Sequence, residues 1–344
     1  MNGQGRLKFT WKFIAAVIIY IVFAIYLFYP YLESFSKWQF LWPLNVCIAS
    51  IGCYILSRRW VAGFAGSCFA GAIYGFGPYF FGLAKFHPVT GLLAATIPWL
   101  FCPAAFGIFS GHRKWLNYIF SLMPYLAIVI FFQAAGLAKI YPASLQAKLK
   151  PDELFSLLAP LVAAKLGTTL IGFYHVPLAA LILGISMLIS ARRYSIMILI
   201  ISSIILTFCN PINSSLEISP IIWLSISALC FSIIIGAGFQ GLASGGFVDR
   251  KWILANSIIL GIFAIITLLL AANYFQVFLS LGDGYARLFV ETAKFYLLGS
   301  VVLLICFFMT CGKVKMHPLR EILISTAMGI DIFIGACFII DKLF

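Results

Sequence analysis

The sequence is poor in charged residues, and acidic residues are especially scarce. Of 344 residues only 10% are charged, with 10 Asp and Glu in the whole chain, whereas 63% are apolar. A soluble domain carries about 25% charged residues, which cover its surface. The shortage excludes a water-exposed globular domain. The sequence therefore predicts an integral membrane protein, all-α, built as a polytopic bundle of transmembrane helices.

Motifs of soluble and redox enzymes are also missing. The sequence has no P-loop, no dinucleotide-binding glycine fingerprint and no H-E-x-x-H pair. Its nine cysteines form no C-x-x-C pair and lie within or beside apolar stretches, which is typical of small packing residues. These absences argue against an ATPase, a redox carrier and a zinc protease. No metal site is predicted, and no cofactor is indicated.

Long apolar runs fill the chain instead. A helix needs about 20 apolar residues to cross a membrane core of roughly 30 Å. We expect one membrane domain over 1–344, in which 1–137 holds the first five spans, 138–167 an outer loop with an interfacial amphipathic helix, and 168–344 the remaining six spans. The eleven predicted spans lie near residues 13–31, 39–57, 60–84, 88–109, 116–137, 168–190, 194–210, 219–242, 252–274, 294–312 and 322–341.

The basic residues are distributed by topology. The net charge is +13, and Lys and Arg concentrate in every second connection, such as 58–59, 192–193 and 250–251. Because short cytoplasmic loops collect basic residues, we predict a cytoplasmic N-terminus and, with eleven spans, a C-terminus outside. The charge is spread over six short connections, so a nucleic-acid partner is not expected. The expected location is a bacterial inner (plasma) membrane.

Two ionisable residues lie within predicted spans. Asp331 stands near the middle of the last span, where a carboxylate costs about 2.5–3.5 kcal/mol, so it should face a partner or a wet cavity. Flanking glycines, including Gly329, predict the close approach of another helix. His175 lies in the outer third of the sixth span, beside the helix-breaking Pro177. Asp331 and His175 together suggest a proton- or ion-coupled relay.

The third predicted span carries a stripe of small residues. Gly63, Ser67, Gly71 and Gly75 recur at every fourth position, which places them on one face of a helix. Such a stripe predicts a surface against which another helix packs closely. The helix should break after it, because Gly77 and a proline follow.

Residues 40–104 carry a familiar succession of motifs. A helix ends in a Tyr-x-Leu-x-Arg-Arg turn at 54–59, and the next ends in an aromatic, glycine and proline motif at 74–78. An outer turn with His87 and a Pro-Trp pair at 98–99 follow. This succession resembles the second to fourth spans of the GT-C superfamily of polytopic membrane glycosyltransferases.

The resemblance implies an enzyme that takes a sugar from a polyprenyl-phosphate donor at the outer face, with membrane lipids around it. Family members place a catalytic carboxylate in the first outer loop, which here is short and has Glu33 as its single acid. The implied catalytic residues are Glu33 and His87. Lys37, Lys85 and Tyr79 are the implied substrate-binding residues.

Three functions therefore stay open at this point. The first is a GT-C-like glycosyltransferase or a degenerate relative of one. The second is a transporter that uses Asp331 and His175. The third is a non-catalytic membrane subunit or scaffold, which the very small extramembrane area would suit.

Overall fold

The structure is a computed structural model of the whole chain. It describes residues 3–35, 40–61, 63–77, 79–81, 83, 88–108, 114–137, 194–216, 218–244, 250–277, 284–311 and 317–343. These residues are helical almost throughout, and none of them forms a strand. The all-α prediction is thereby confirmed.

The described helices are numbered in chain order. They are α1 (Gly3–Phe28), followed by a 3-10 helix (Tyr29–Ser34), α2 (Leu41–Ser57), α3 (Phe64–Gly75), α4 (Pro88–Phe106), α5 (Lys114–Ser121), α6 (Met123–Leu137), α7 (Tyr194–Phe208), α8 (Asn210–Ser215), α9 (Leu224–Ser244), α10 (Arg250–Val277), α11 (Gly284–Cys311) and α12 (His317–Leu343).

Several of these helices have the length and composition of membrane spans. Five are long and apolar enough to cross a membrane, and shorter apolar helices accompany them at Leu41–Ser57, Thr90–Phe106 and Tyr194–Phe208. The five are Trp11–Glu33, Trp115–Ala134, Leu224–Ser244, Arg250–Ala272 and Ala286–Cys311.

Most of the predicted spans coincide with observed helices. Each predicted run that falls in the described ranges overlaps a helix, whereas the sixth run, 168–190, and the interfacial helix predicted within 138–167 lie outside those ranges. The total of eleven spans and the direction of insertion stay predictions.

Basic residues from separate connections cap helix ends at one end of the bundle. The Nε of Arg59 donates to the carbonyl of Ala105 at 2.9 Å, and the Nε of Arg320 donates to the carbonyl of Ala243 at 2.8 Å. These carbonyls belong to the last turns of α4 and α9. Carbonyl groups in the last turn of a helix have no hydrogen-bond donor within that helix. A guanidinium there also meets the negative end of the helix dipole.

Exposed aromatic residues stand beside the same basic connections. They project outward near the beginnings of α1, α5, α7 and α10, where a membrane helix meets the lipid headgroups. The residues are Trp11, Trp115, Tyr118, Tyr194 and Trp252. Their amphipathic rings fit a membrane interface at this end, which we name the basic end.

The predicted packing stripe on α3 is confirmed, although it meets more than one helix. A Cβ added at Gly71 would lie 2.5 Å from the carbonyl oxygen of Ser50 on α2. At Gly63 an added Cβ would overlap the side chain of Gln240 on α9. The small residues therefore bring the α3 backbone against two neighbours at once.

A proline in α4 accounts for a buried hydrogen bond between helices. Pro98 has no N–H, so the carbonyl of Ala94 one turn earlier lacks its helical donor. The hydroxyl of Tyr74 on α3 donates to that carbonyl at 2.8 Å. In the next position the indole of Trp99 donates to the carbonyl of Ile48 at 3.0 Å and covers Gly52. The Tyr74 and Pro-Trp motifs thus have structural roles.

Helices α10 and α11 form an antiparallel pair. The hydroxyl of Ser257 donates to the carbonyl of Ser300 at 2.9 Å, and the hydroxyl of Ser300 donates to the carbonyl of Ser257 at 2.8 Å. Further along, the side chain of Leu260 lies against Gly299. These contacts set the register of the pair, and residues of both helices line a cavity.

Candidate functional site

A cavity of about 80 Å³, which continues into space open to the surroundings, lies among the last four helices. Phe239 and Leu242 of α9 form one wall, and Leu260 of α10 forms another. The remaining lining residues belong to α11 and α12; they are Phe295, Tyr296, Leu298, Gly299, Val302, Leu303, Ile324, Ala327, Met328 and Asp331.

The open side of the cavity lies between α11 and α12. Leu298, one of the lining residues, is exposed, and Val302 and Ala327 are partly exposed. The neighbouring Val301 and Ile330 are exposed apolar side chains of the same two helices. The cavity therefore opens beside a surface of exposed apolar side chains.

Asp331 is the charged residue among the described lining residues of this cavity. It lies about 21 Å from the beginning of α12 and about 18 Å from its end, at 1.5 Å per residue. Its side chain is partly buried and stands in the cavity wall. The expectation that this carboxyl faces a cavity agrees with its position.

The expectation for Gly329 is wrong. A Cβ added there would meet no described atom within 4 Å, so Gly329 is not a point of close helix approach. Spacing identifies small residues on a helix, but the neighbour that would use them depends on how the helices are arranged.

Tyr296 lies next to Asp331 in the cavity wall. The tyrosine side chain is 1% exposed and interacts electrostatically with the Asp331 carboxyl. Its ring also lies 5.8 Å from the ring of Phe263, centroid to centroid. The hydroxyl is therefore held near the carboxyl by a ring that packing fixes.

Aromatic rings share the cavity lining with the carboxyl. Phe239 is fully buried, and its ring lies 4.9 Å from that of Phe69 on α3. Phe295 and Tyr296 add two further rings from α11. Aromatic faces attract cations, most strongly where water is excluded. A mainly apolar cavity with one carboxyl and three aromatic rings is chemically suited to a cation with an apolar body.

The residues implied by the family resemblance are only partly described. Glu33 is exposed at the end of the 3-10 helix, and Tyr79 is 7% exposed within the aromatic core. Lys37, Lys85 and His87 lie outside the described residues, as does His175, the predicted partner of Asp331. Whether these residues converge stays a prediction.

A second groove lies near Glu33. It holds about 1140 Å³, including open space, between the end of α1 with the following 3-10 helix and the end of α12. Tyr29, Pro30 and Tyr31 of the 3-10 helix contribute to its wall, together with Ile340 of α12. The groove is lined mainly by apolar and aromatic residues, and Glu33 follows two residues after Tyr31.

Sequence reasoning missed the aromatic part of the Asp331 cavity. Tyr296 stands four residues before Ser300 and four after Thr292, so the three lie on one face of α11. That polar face inside an apolar span was a usable signal. Phe239 and Phe295 gave none, because phenylalanine is frequent throughout this chain.

The described residues offer no group of three or more His, Cys, Asp or Glu side chains arranged to hold a metal ion. None of the nine cysteines, all of which lie in the described ranges, forms a disulfide bond. The described lining of the Asp331 cavity offers one carboxyl, one phenol, aromatic rings and aliphatic side chains.

The described residues form an all-helical bundle, and five of its helices are long and apolar enough to cross a membrane. No protein family, curated protein or solved structure matches the chain.

Proposed function

We propose that the protein is a membrane transporter for hydrophobic organic cations, with Asp331 as the charge-binding residue. The observation that carries the proposal is the position of Asp331 in a cavity lined by Phe239, Phe295 and Tyr296 and open on one side, beside exposed apolar residues of α11 and α12. Ionisable residues at this depth in membrane helices commonly mark substrate or ion pathways.

The cavity chemistry supports a cationic ligand with an apolar body. Two unit charges 4 Å apart attract by about 4 kcal/mol at an effective dielectric constant of 20. The aromatic rings add cation–π attraction, and Leu242, Leu260 and Leu303 provide apolar contact for the rest of the ligand. A neutral apolar molecule would have neither the attraction between charges nor the cation–π attraction.

Charge balance also suggests how transport is coupled. An ionised Asp331 in this apolar wall is unfavourable unless a cation or a proton neutralises it. Binding of one monovalent cation to the protonated carboxyl releases one proton, and dissociation of the cation allows the proton to return. The protein would thus exchange cations for protons, with His175 as the proposed partner of Asp331 in the relay.

The first experiment measures binding of octyltrimethylammonium to the full-length protein in lipid nanodiscs, with empty nanodiscs as the blank. Asp331→Asn removes the charge and keeps the shape, so affinity should fall at least about tenfold. Glu321→Gln is the matched control, because Glu321 is exposed near the beginning of the same helix. Equal affinity in the Asp331→Asn variant and the wild type would refute the proposal.

A second measurement follows transport in proteoliposomes. An outward proton gradient should drive accumulation of octyltrimethylammonium by the wild type, and Asp331→Asn should abolish it. Binding without gradient-driven uptake would refute transport and would indicate a receptor or scaffold.

A GT-C-like glycosyltransferase is the second candidate, and the groove beside Glu33 is the observation that favours it. A groove lined mainly by apolar and aromatic side chains suits a prenyl chain. Glu33 would take the proton from an acceptor hydroxyl as its oxygen attacks the sugar, and the polyprenyl phosphate would leave. His87 would assist, and Lys37, Lys85 and Tyr79 would bind the donor.

Polyprenyl-phosphate-linked radiolabelled hexose, supplied with membrane extract as the source of acceptors, tests this candidate. The wild type should transfer label and Glu33→Gln should lose the activity, whereas Glu291→Gln should keep it, because Glu291 forms a salt bridge with Lys294 elsewhere. Transfer at the wild-type rate by Glu33→Gln would refute it.

A further inference from the structure

A buried asparagine near the Asp331 cavity has neither of its amide atoms paired. Asn256 of α10 is 1% exposed, and both Oδ1 and Nδ2 are buried without a hydrogen-bond partner among the described residues. Buried polar groups in proteins almost always have partners, and in lipid the surroundings offer none. An unpaired amide at this position calls for a group that the chain itself does not supply.

Asn256 lies on the face of α10 that lines the cavity. Ile253, Asn256 and Leu260 follow one another at helical spacing, and all three are buried. Leu260 lines the cavity, and Ile253 belongs to the same apolar cluster as Leu242, another lining residue. The asparagine therefore stands one turn from the cavity wall, toward the basic end.

The register of α10 and α11 places Asn256 at the level of Leu303. Ser257 bonds Ser300, and Leu260 packs on Gly299, so Asn256 comes opposite residues 301–303 of α11. Leu303 lines the cavity at its basic end, and Tyr296 lines it beside Asp331. Seven residues separate Leu303 from Tyr296, which is about 10 Å along the helix.

We infer that Asn256 is a specificity-determining residue that hydrogen-bonds a polar group at the far end of the cation bound by Asp331. The inference rests on the proposed function and adds the substrate class: an organic cation with a hydroxyl or amide about 10 Å from its charge. One end binds Asp331 among the aromatic rings, and the other end satisfies the amide of Asn256.

Both amide atoms of Asn256 lack a hydrogen-bond partner among the described residues. A hydroxyl donates to Oδ1 and accepts from Nδ2, so a single terminal hydroxyl is able to pair either or both. A ligand without this group leaves the amide unpaired, and a site built for a hydrogen bond discriminates against such a ligand.

Two probes of equal chain length test the inference in nanodiscs. They are octyltrimethylammonium and its 8-hydroxyoctyl analogue, which differ only in the terminal hydroxyl. The wild type should bind the hydroxyl probe about three- to tenfold more tightly, once partition into empty nanodiscs is subtracted. Asn256→Leu should bind both probes equally and keep the affinity for octyltrimethylammonium.

Asn117→Leu is the matched control, because Asn117 also has a buried, unpaired amide oxygen but lies on α5, outside the cavity. This variant should keep the preference for the hydroxyl probe. Asn256→Leu replaces an unpaired polar group by an apolar one of similar size, so it should fold and melt at or above the wild-type temperature. Asn256→Val supplies a second variant with the same expected binding.

The outcomes separate the two proposals. Failure of octyltrimethylammonium to bind the wild type refutes the proposed function. Normal binding with an unchanged hydroxyl preference in Asn256→Leu and Asn256→Val overturns the role of Asn256 and leaves the proposed function standing. Equal binding of both probes by the wild type also overturns it.

Discussion

The two halves of the bundle differ in how closely their backbones approach. Where α3 meets α9, a Cβ at Gly66 would lie 2.6 Å from the carbonyl oxygen of Gly236, and one at Gly236 would lie 2.5 Å from that of Gly66. In α10 and α12, a Cβ at Gly261 would have ordinary contact at 3.5 Å, and one at Gly329 would meet no described atom within 4 Å.

The contrast shows where the helices pack closely and where space is left between them. Helices in lipid gain stability chiefly from close packing and buried hydrogen bonds, because lipid tails are as apolar as the side chains. The region of α2, α3, α4 and α9 uses both devices, with its glycines and the Tyr74 bond to Ala94. Helices α10 and α11 also pack closely and exchange hydrogen bonds through Ser257 and Ser300, but a cavity lies between this pair, α9 and α12, and Asp331 stands in its wall.

The largest expected effect comes from adding one methyl group to the tight region. Gly71→Ala would drive a Cβ against the backbone of α2 and the hydroxyl of Tyr20. We expect a loss of about 3 kcal/mol of stability, because neither the backbone nor a buried tyrosine yields easily. Thermal unfolding in nanodiscs measures it. A melting temperature equal to that of the wild type would show that α3 does not pack as closely as described.

The next effect concerns the carbonyl that Pro98 leaves without a helical donor. Tyr74→Phe should cost about 2 kcal/mol, because the carbonyl of Ala94 is then buried and unpaired. The same unfolding measurement applies. Tyr118→Phe is the control, since Tyr118 is exposed near the basic end and should tolerate the change. Equal melting of the two variants would argue against a structural role for the Tyr74 hydroxyl.

The cavity region should accept a larger side chain but lose its ligand. Ala327→Leu fills part of the cavity, so affinity for octyltrimethylammonium should fall about tenfold, or about 1.4 kcal/mol, without loss of melting temperature. Ala272→Leu serves as the control, because Ala272 is exposed on α10. Unfolding of Ala327→Leu at a much lower temperature would mean that this region is packed as tightly as the other.

The smallest effect should come from the glycine next to Asp331. Gly329→Ala meets open space and removes a helix-weakening glycine, so it should raise stability by about 0.5 kcal/mol. Set beside Gly71→Ala, this identical substitution measures the difference between the two regions directly. A loss as large as that of Gly71→Ala would show that another helix covers Gly329.

Much of the helical architecture was predictable because each cause is local. Long apolar runs require helices in lipid, where every backbone group must be paired within its own segment. The α3 stripe was predictable for the same reason, since spacing alone puts Gly63 and Gly71 on one face. Gly329 was misjudged because the same small residue is useful only where a neighbour approaches.

Sequence analysis identified the candidate site only at Asp331. A carboxyl amid apolar residues is conspicuous in this sequence. The polar face of α11 was a usable signal for Tyr296, but the levels of Tyr296 and Asn256 in the bundle follow only from the pairing of α10 with α11. The aromatic lining and the distance between the two polar ends depend on that register.

The sequence by itself determined that this chain forms helices, several of them long and apolar enough to cross a membrane, with a carboxyl deep in its last predicted span, because composition and hydrophobic length are properties of the chain alone. Only the tertiary structure decided that α3 packs without room for a methyl group and that Asp331 opens onto a cavity with aromatic walls. Those outcomes depend on which helices meet and at what level, and packing between distant segments sets both.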